Sequence, residues 1–192
     1  KTFAPVTGLS RDRLRAAWRA AVKAQDRYRQ TLQEEGARVL AELERSGGRG
    51  IVLLGRAYNT LDPDLNLSIP RKMARLGFTI IPVDMLPVRP DAFEGIFSNM
   101  YWTTGQAILS AARTVADNPR LHAVFFTNFK CGPDSFILSS VEQMMADKPM
   151  LTLELDEHGA DAGYMTRIEA FLDVLRGNRD RRTAAAPVPQ YA

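Results

Sequence analysis

Apolar residues are distributed along the chain in two different patterns. From Ser10 to Ser46 they recur at steps of three and four residues, which is typical of one amphipathic helix or of two in succession. Ser10 suits the N-cap position, and the glycine-rich segment 47–50 is expected to end the helix. Beyond this segment, short apolar runs alternate with amphipathic stretches, which indicates strands separated by helices.

Four apolar runs predict buried strands, at residues 51–54, 78–83, 121–127 and 150–155. Helices are predicted between and after them, at residues 68–76, 91–97, 102–116, 133–145 and 163–175. Ser68 is the expected cap of the first of these, with Pro70 in its first turn. The alternation indicates a parallel sheet covered on both faces. The predicted fold is therefore a three-layer, Rossmann-like or flavodoxin-like α/β domain with strand order 2-1-3-4.

The chain divides into three predicted segments. These are an N-terminal helical segment or connector (1–48), an α/β domain (49–176) and a disordered basic tail or linker (177–192). The 192 residues suffice for one hydrophobic core. The net charge of +3 equals the charge of the stretch from Arg176 onward, so the folded part is neutral and no nucleic-acid partner is predicted.

Composition and missing signatures exclude several classes of protein. No apolar run approaches the length of a membrane span, so no membrane partner is predicted. The single cysteine excludes an internal disulfide framework and suits a reducing compartment, which predicts a cytoplasmic location. The glycine-rich dinucleotide fingerprint, the P-loop, the Cys-x-x-Cys pair and the Gly-x-Ser-x-Gly elbow are all missing from the sequence.

A site is expected beyond the carboxyl ends of the strands, where parallel sheets bind ligands. The loops there carry Arg56, Tyr58, Asn59, Asp84, Asn128, Cys131, Asp134, Ser135, Asp156 and His158. From this set the predicted substrate contacts are Arg56, Tyr58, Asn59, Asn128, Asp134, Ser135 and Asp156. The alternative is that these residues only make turns and helix starts.

Cys131 has the most informative position in the chain. It is predicted on a turn between a strand and a helix, where the free N–H groups at the helix start favour a thiolate. A thiolate can bind a metal or act as a nucleophile, with His158 as base and Asp156 or Asp134 as orienting acid. A lone cysteine can also be simply a small buried residue. The catalytic residue is thus unassigned, with Cys131 and His158 as candidates.

Four motifs in the same order resemble those of large bacterial proteins related to 2-hydroxyacyl-CoA dehydratases and their activases. The motifs are Gly55 to Pro63 with Asn66 and Ile69-Pro70, Asn99 to Trp102 with Gly105-Gln106, Thr127 to Phe136, and Leu153 to Gly163. The resemblance covers about residues 51–175. Ala57 stands where the family motif usually has proline.

The resemblance implies that this chain acts together with other modules. Such proteins combine an ATPase-type activase, which drives low-potential electron transfer, with Rossmann-like modules that carry an iron–sulfur cluster on cysteine thiolates. Cys131 would be one cluster ligand, and the other ligands would come from another domain of the same polypeptide or from a dimer mate. Acyl-CoA is the implied substrate, and no nucleotide site is expected within this chain. The alternatives are the Cys131–His158 thiol enzyme and a non-catalytic docking domain between larger modules.

Overall fold

Helices and strands follow one another along the chain in the computed structural model, which describes residues 4–93, 95, 97, 99–128, 132–146, 148–157 and 160–184, the last seven by their backbone only. The first elements are α1 (Ala4–Thr7), α2 (Arg11–Ser46), β1 (Gly50–Gly55), α3 (Ala57–Leu61), α4 (Ile69–Arg75) and β2 (Thr79–Pro82). Two 3₁₀ turns, Val83–Met85 and Pro90–Phe93, come next. The remaining elements are α5 (Thr103–Asp117), β3 (Leu121–Asn128), α6 (Gly132–Met145), β4 (Met150–Leu155) and α7 (Ala162–Ala184).

The strands form one parallel sheet in the order β2-β1-β3-β4. In the central pair, Gly50 lies opposite Leu121 and Gly55 opposite Phe126, so β1 and β3 end at the same edge. The predicted α/β fold and the predicted strand order are both confirmed. The two central strands are buried on both faces. Their residues therefore pack into a hydrophobic core on either side, which explains the continuous apolar runs in the sequence.

Successive residues of β1 point into two different hydrophobic cores. Val52 and Leu54 pack with α5, α6 and the C-terminal part of α2, whereas Ile51 and Leu53 pack with α4 and α7. This alternation follows from the period of two along a strand. The sheet is therefore covered on both faces, as in doubly wound α/β domains.

Helix α2 has the predicted bounds and the predicted caps. The Ser10 hydroxyl accepts a hydrogen bond from the Arg13 backbone N–H at 3.4 Å, and Gly47 takes the left-handed conformation at φ 69°. Only its C-terminal part packs on the sheet, where Gly36 and Leu43 are buried. None of the helices in the described part of the chain carries an apolar stretch long enough to cross a bilayer.

Four local details differ from the sequence prediction. The helix predicted at residues 91–97 is replaced by a 3₁₀ turn over Pro90–Phe93, in which the Ala92 N–H bonds the Arg89 carbonyl three residues back. The segment after β1 was expected to be a loop, but it forms α3, because the Arg56 carbonyl accepts hydrogen bonds from the N–H groups of Asn59 and Thr60. Ser68 precedes α4 with a left-handed backbone (φ 53°), and its side chain makes no capping hydrogen bond to the described residues. The last helix continues beyond Leu175 to Ala184, and four of the nine residues in this added stretch are arginines, which favour helix.

Candidate functional site

The loops after β1 and β3 leave the sheet in opposite directions, because β1 connects to β2 on one side and β3 to β4 on the other. Open α/β sheets generally bind ligands beside such a switch in strand order. We use the name switch-point crevice for the region formed by Arg56, Asn59, Thr127 and Asp134. It lies at the carboxyl edge of the sheet, where the sequence predicted a site.

An ion pair joins the two sides of the switch-point crevice. Arg56 Nη2 donates to Asp134 Oδ2 at 2.9 Å, and Thr127 Oγ1 donates to the same oxygen at 2.6 Å. The Asp134 side chain is fully buried and that of Arg56 is 15% exposed. A charge so far from water requires a close partner, so the pair fixes the start of α6 against the end of β1.

The Arg56 guanidinium also lies over the ring of Tyr58, 4.9 Å from its centroid. Tyr58 is 48% exposed, so its ring shields one face of the guanidinium while its hydroxyl end reaches the surface. The structure thus brings together three of the predicted contact residues, namely Arg56, Tyr58 and Asp134.

Several polar atoms of this region are buried and have no hydrogen-bond partner within the described part of the chain. They are Oδ1 of Asp134, Oδ1 of Asn128, and both Oδ1 and Nδ2 of Asn59, a residue with no exposed surface. Leaving such a group unsatisfied costs about 1–3 kcal/mol, so a water or a ligand group that reached these atoms would recover this cost.

Gly55 ends β1 close to the backbone of the neighbouring strand β3. Its φ is 141°, and a Cβ on this residue would lie 2.6 Å from the Phe126 carbonyl oxygen. Both the backbone conformation and the space therefore require glycine. The close approach of the two strands positions Arg56, the next residue, over the end of β3.

The loop after β4 is held at the same edge. Asn128 Nδ2 donates to the Leu155 carbonyl at 3.4 Å. The Tyr164 hydroxyl lies 3.0 Å from the Glu154 carbonyl oxygen and 3.2 Å from Asp156 Oδ1, and burial of this hydroxyl raises the pKa of Tyr164. Asp156 is itself exposed, so this predicted contact residue lies at the rim of the region.

On the sheet face that α4 and α7 cover, Lys72 of α4 contacts the residue just before α7. Its Nζ donates to the Leu67 carbonyl at 2.8 Å and to the Asp161 carboxylate. The hydrogen bond and the positive charge of Lys72 lower the pKa of Asp161. This contact links the segment after β1 to the segment after β4.

The remaining candidates are placed less centrally. Ser135 is exposed in the first turn of α6. Asp84 lies in the 3₁₀ turn after β2, a turn that packs against α2. Cys131 and His158 lie outside the described residues, so the predicted thiolate, its base and its metal role stay predictions; Cys131 stands in sequence between Asn128 of β3 and Gly132 of α6.

Thr127 and Gly55 were not among the predicted contacts. Thr127 is the last fully buried residue of β3, and a hydroxyl at that position needs a partner, which Asp134 provides. A polar residue at the end of an otherwise apolar strand was the available signal. The requirement for glycine at residue 55 depends on the distance to Phe126, which no local pattern reports.

Further hollows lie outside the switch-point crevice, and one of them follows the N-terminal part of α2 near Leu14 and Trp18. Another, of about 260 Å³, borders α3 and includes Thr60 and Asn66. A wider cleft of about 800 Å³ lies at the opposite, amino-terminal edge of the sheet, near Arg120, His122 and Lys148. We place the candidate site at the carboxyl edge, because the buried Asn59 and Asp134 atoms that lack partners within the described residues lie there.

Comparison with known protein families gives a match to the N-terminal part of the chain. Residues 1–86 match the family model of the CoA enzyme activase uncharacterised domain. The matched segment runs from the N-terminus to the first 3₁₀ turn and includes α2, β1 and β2. No curated protein and no solved structure matches the chain. The predicted resemblance to a CoA-activase-related family is confirmed: the chain contains a CoA enzyme activase-related domain, matched over residues 1–86.

Proposed function

We propose that this chain is the α/β module of a 2-hydroxyacyl-CoA dehydratase- or activase-like protein, and that its switch-point crevice binds part of an acyl-CoA. The family match and the doubly wound sheet support the assignment. The observation that carries it is the buried Oδ1 of Asp134 and the buried amide of Asn59, which lack hydrogen-bond partners among the described residues. Buried polar atoms without partners are rare in stable domains, and binding sites are where they are expected.

The chemistry of these groups indicates what they would hold. Asp134 Oδ1 can accept a hydrogen bond, and the Asn59 amide can donate and accept. A hydroxyl or amide of an acyl-CoA offers both complements. Arg56 is held by Asp134 and Tyr58, so it orients Asp134 and supplies positive potential toward the phosphate or carboxylate of the ligand.

We assign Cys131 to a shared iron–sulfur site, as one thiolate among several. Clusters are usually held by four thiolates, and the sequence has one cysteine. Within the described residues, no group of three or more His, Cys, Asp or Glu side chains could hold a metal ion. The residues of this chain therefore do not fit a complete cluster, and the remaining ligands belong to another module or a dimer mate.

Exposed aromatic residues at the same edge are consistent with a second module covering the site. Tyr101 precedes α5 and is 94% exposed, and Phe136 in the first turn of α6 is 71% exposed. Both helices begin at the carboxyl edge of the sheet. In the whole protein, this module would take part in ATP-driven low-potential electron transfer or dehydration of an acyl-CoA.

The test of the thiolate assignment is iron and acid-labile sulfide per chain in the full-length protein after anaerobic reconstitution. Cys131→Ser should lower both, whereas Ser135→Ala, a change of similar size four residues further along the chain, should leave both unchanged. Iron that is unaffected by Cys131→Ser would overturn the assignment. Alkylation of Cys131 that abolishes turnover in a metal-free protein would favour the thiol enzyme instead.

A further inference from the structure

The long helix α2 extends far beyond the domain on which it packs. From Arg11 to Thr31 every residue is exposed except Leu14, which is partly buried. This projecting part is about 30 Å long at 1.5 Å per residue. Most of the stability of a helix in a protein comes from the packing of its apolar face, so a surface that covers this segment would stabilise it.

The projecting part carries an apolar stripe. Leu14, Trp18, Ala21, Tyr28 and Leu32 recur at steps of three, four or seven residues, which places them on one face of the helix. Trp18 is 71% exposed and Tyr28 is 55% exposed. Large aromatic side chains at helical spacing are the usual anchors of a helix in a groove.

The same stripe continues into the part of α2 that is packed on the domain. Gly36, Val39 and Leu43 follow Leu32 at the same spacing, and they contact the core or the turn after β2. The stripe is thus one continuous surface that the domain covers only at its C-terminal end. A partner on the projecting part would extend this packing along the helix.

The charged residues of the projecting part indicate what kind of partner could bind it. The projecting part contains seven Arg or Lys residues and two Asp residues, whereas residues 32–46 contain more acidic than basic side chains. Arg15 and Arg19 lie to one side of the stripe, where they would meet the rim of a groove. An acidic rim complements them, and electrostatic complementarity selects partners and their register.

We propose that the projecting part of α2 docks into an apolar groove with an acidic rim on another protein module. A second copy of the chain fits less well, since pairing the two projecting parts would bring like charges together. A lipid surface also fits less well. Much of the face beside Trp18 is alanine (Ala17, Ala21), which suits close packing between helices, whereas surface-bound membrane helices need more bulky apolar area.

The experiment is site-specific photo-crosslinking in the full-length protein, with p-benzoylphenylalanine in place of Trp18 and the crosslinked peptide identified by mass spectrometry. The same group in place of Lys23, on the far side of the helix, is the matched control. The expected result is a crosslink from the Trp18 position to a segment rich in Asp and Glu, and little from the Lys23 position.

Salt and charge reversal complete the test. Raising the salt from about 0.1 M to about 1 M shortens the Debye length from about 10 Å to about 3 Å, so the crosslink yield should fall on the order of tenfold. Arg15→Glu with Arg19→Glu should lower the yield similarly at low salt, with the circular dichroism of the folded domain unchanged. A crosslink to α2 of a second copy, to lipid, or to no partner would each overturn the proposal.

Discussion

Arg56 and Asp134, which are far apart in sequence, form a buried ion pair across the switch in strand order, with Nη2 and Oδ2 2.9 Å apart. Thr127 donates a hydrogen bond to the same carboxylate oxygen at 2.6 Å. The pair connects the segment after β1 to the start of α6 at the point where the two central strands diverge. The position of α6 relative to β1 therefore depends on the Asp134 carboxylate being paired with the Arg56 guanidinium.

Removing the carboxylate should destabilise the domain strongly. Asp134→Ala leaves the guanidinium of Arg56 buried without its counter-charge, which should lower the free energy of unfolding by about 3–5 kcal/mol. The measurement is urea denaturation followed by circular dichroism. Asp173→Ala, which breaks the exposed pair with Arg176, is the matched control and should cost less than about 0.5 kcal/mol.

A double variant tests whether the loss of stability comes from leaving one buried charge without the other. Arg56→Met with Asp134→Leu removes both charges, so it should recover a large part of the stability that Asp134→Ala alone loses. If the double variant is as unstable as the sum of the single variants, the two residues do not act as a pair.

Gly55 and Gly77 should respond differently to alanine. Gly55→Ala combines an unfavourable φ with a Cβ 2.6 Å from the Phe126 carbonyl, so it should cost about 2–5 kcal/mol. Gly77 has φ 92° but nothing within 4 Å of a Cβ, so Gly77→Ala should cost only the backbone strain of about 1–2 kcal/mol. Thermal denaturation of the two variants compares them directly, and equal losses would argue against the close approach of β1 to β3.

Two helical glycines should give effects of opposite sign. In Gly36→Ala the new Cβ would lie 2.0 Å from the Met85 carbonyl oxygen, and the displacement of α2 should cost about 1–3 kcal/mol. Gly177 on α7 has nothing within 4 Å, so Gly177→Ala should stabilise the protein by up to about 1 kcal/mol. Differential scanning calorimetry would show the two shifts in melting temperature, and a gain from Gly36→Ala would mean that α2 does not cross the turn closely.

The Lys72 ammonium should control the ionisation of Asp161. Because Lys72 lowers the pKa of Asp161 from its ordinary value of 3.8, Lys72→Ala should raise this pKa toward that value. The lowered pKa stabilises the native state above about pH 4, and this contribution disappears as the pH falls through the native-state pKa. Carboxyl carbon chemical shifts measured against pH report the change, and Lys148→Ala, far from Asp161 at the amino-terminal edge, should leave the titration unaltered.

Asn59→Leu distinguishes a binding role from a structural one. Both polar atoms of its amide are buried without partners in the described part of the chain, so a leucine, whose side chain branches at the same carbon, should change stability by less than about 1.5 kcal/mol. If the switch-point crevice binds an acyl-CoA, the same change should weaken calorimetrically measured binding of acetyl-CoA by tenfold or more, since about 1.4 kcal/mol corresponds to a factor of ten. Unchanged binding, with stability retained, would remove Asn59 from the site.

Local patterns predicted most of the fold. The helical periodicity located α2 and α4 to α7. The continuous apolar runs located all four strands, because strands of a parallel sheet are buried on both faces. These patterns did not predict α3, which has only five residues and depends on hydrogen bonds to the Arg56 carbonyl. Nor did they predict the backbone of Ser68, because a left-handed serine is set by the surrounding turn and not by its own preference.

The sequence by itself determined which residues reach the carboxyl edge of the sheet, because each chemistry-bearing loop follows a strand in a parallel arrangement. Only the tertiary structure decided which of them meet. Arg56 and Asp134 were both candidates, but their pairing, the part of Thr127 and the partnerless amide of Asn59 depend on distances between segments that are remote in the chain. Side-chain periodicity specifies which face of an element is buried, whereas the pairing of polar groups is decided by packing, which no single segment encodes.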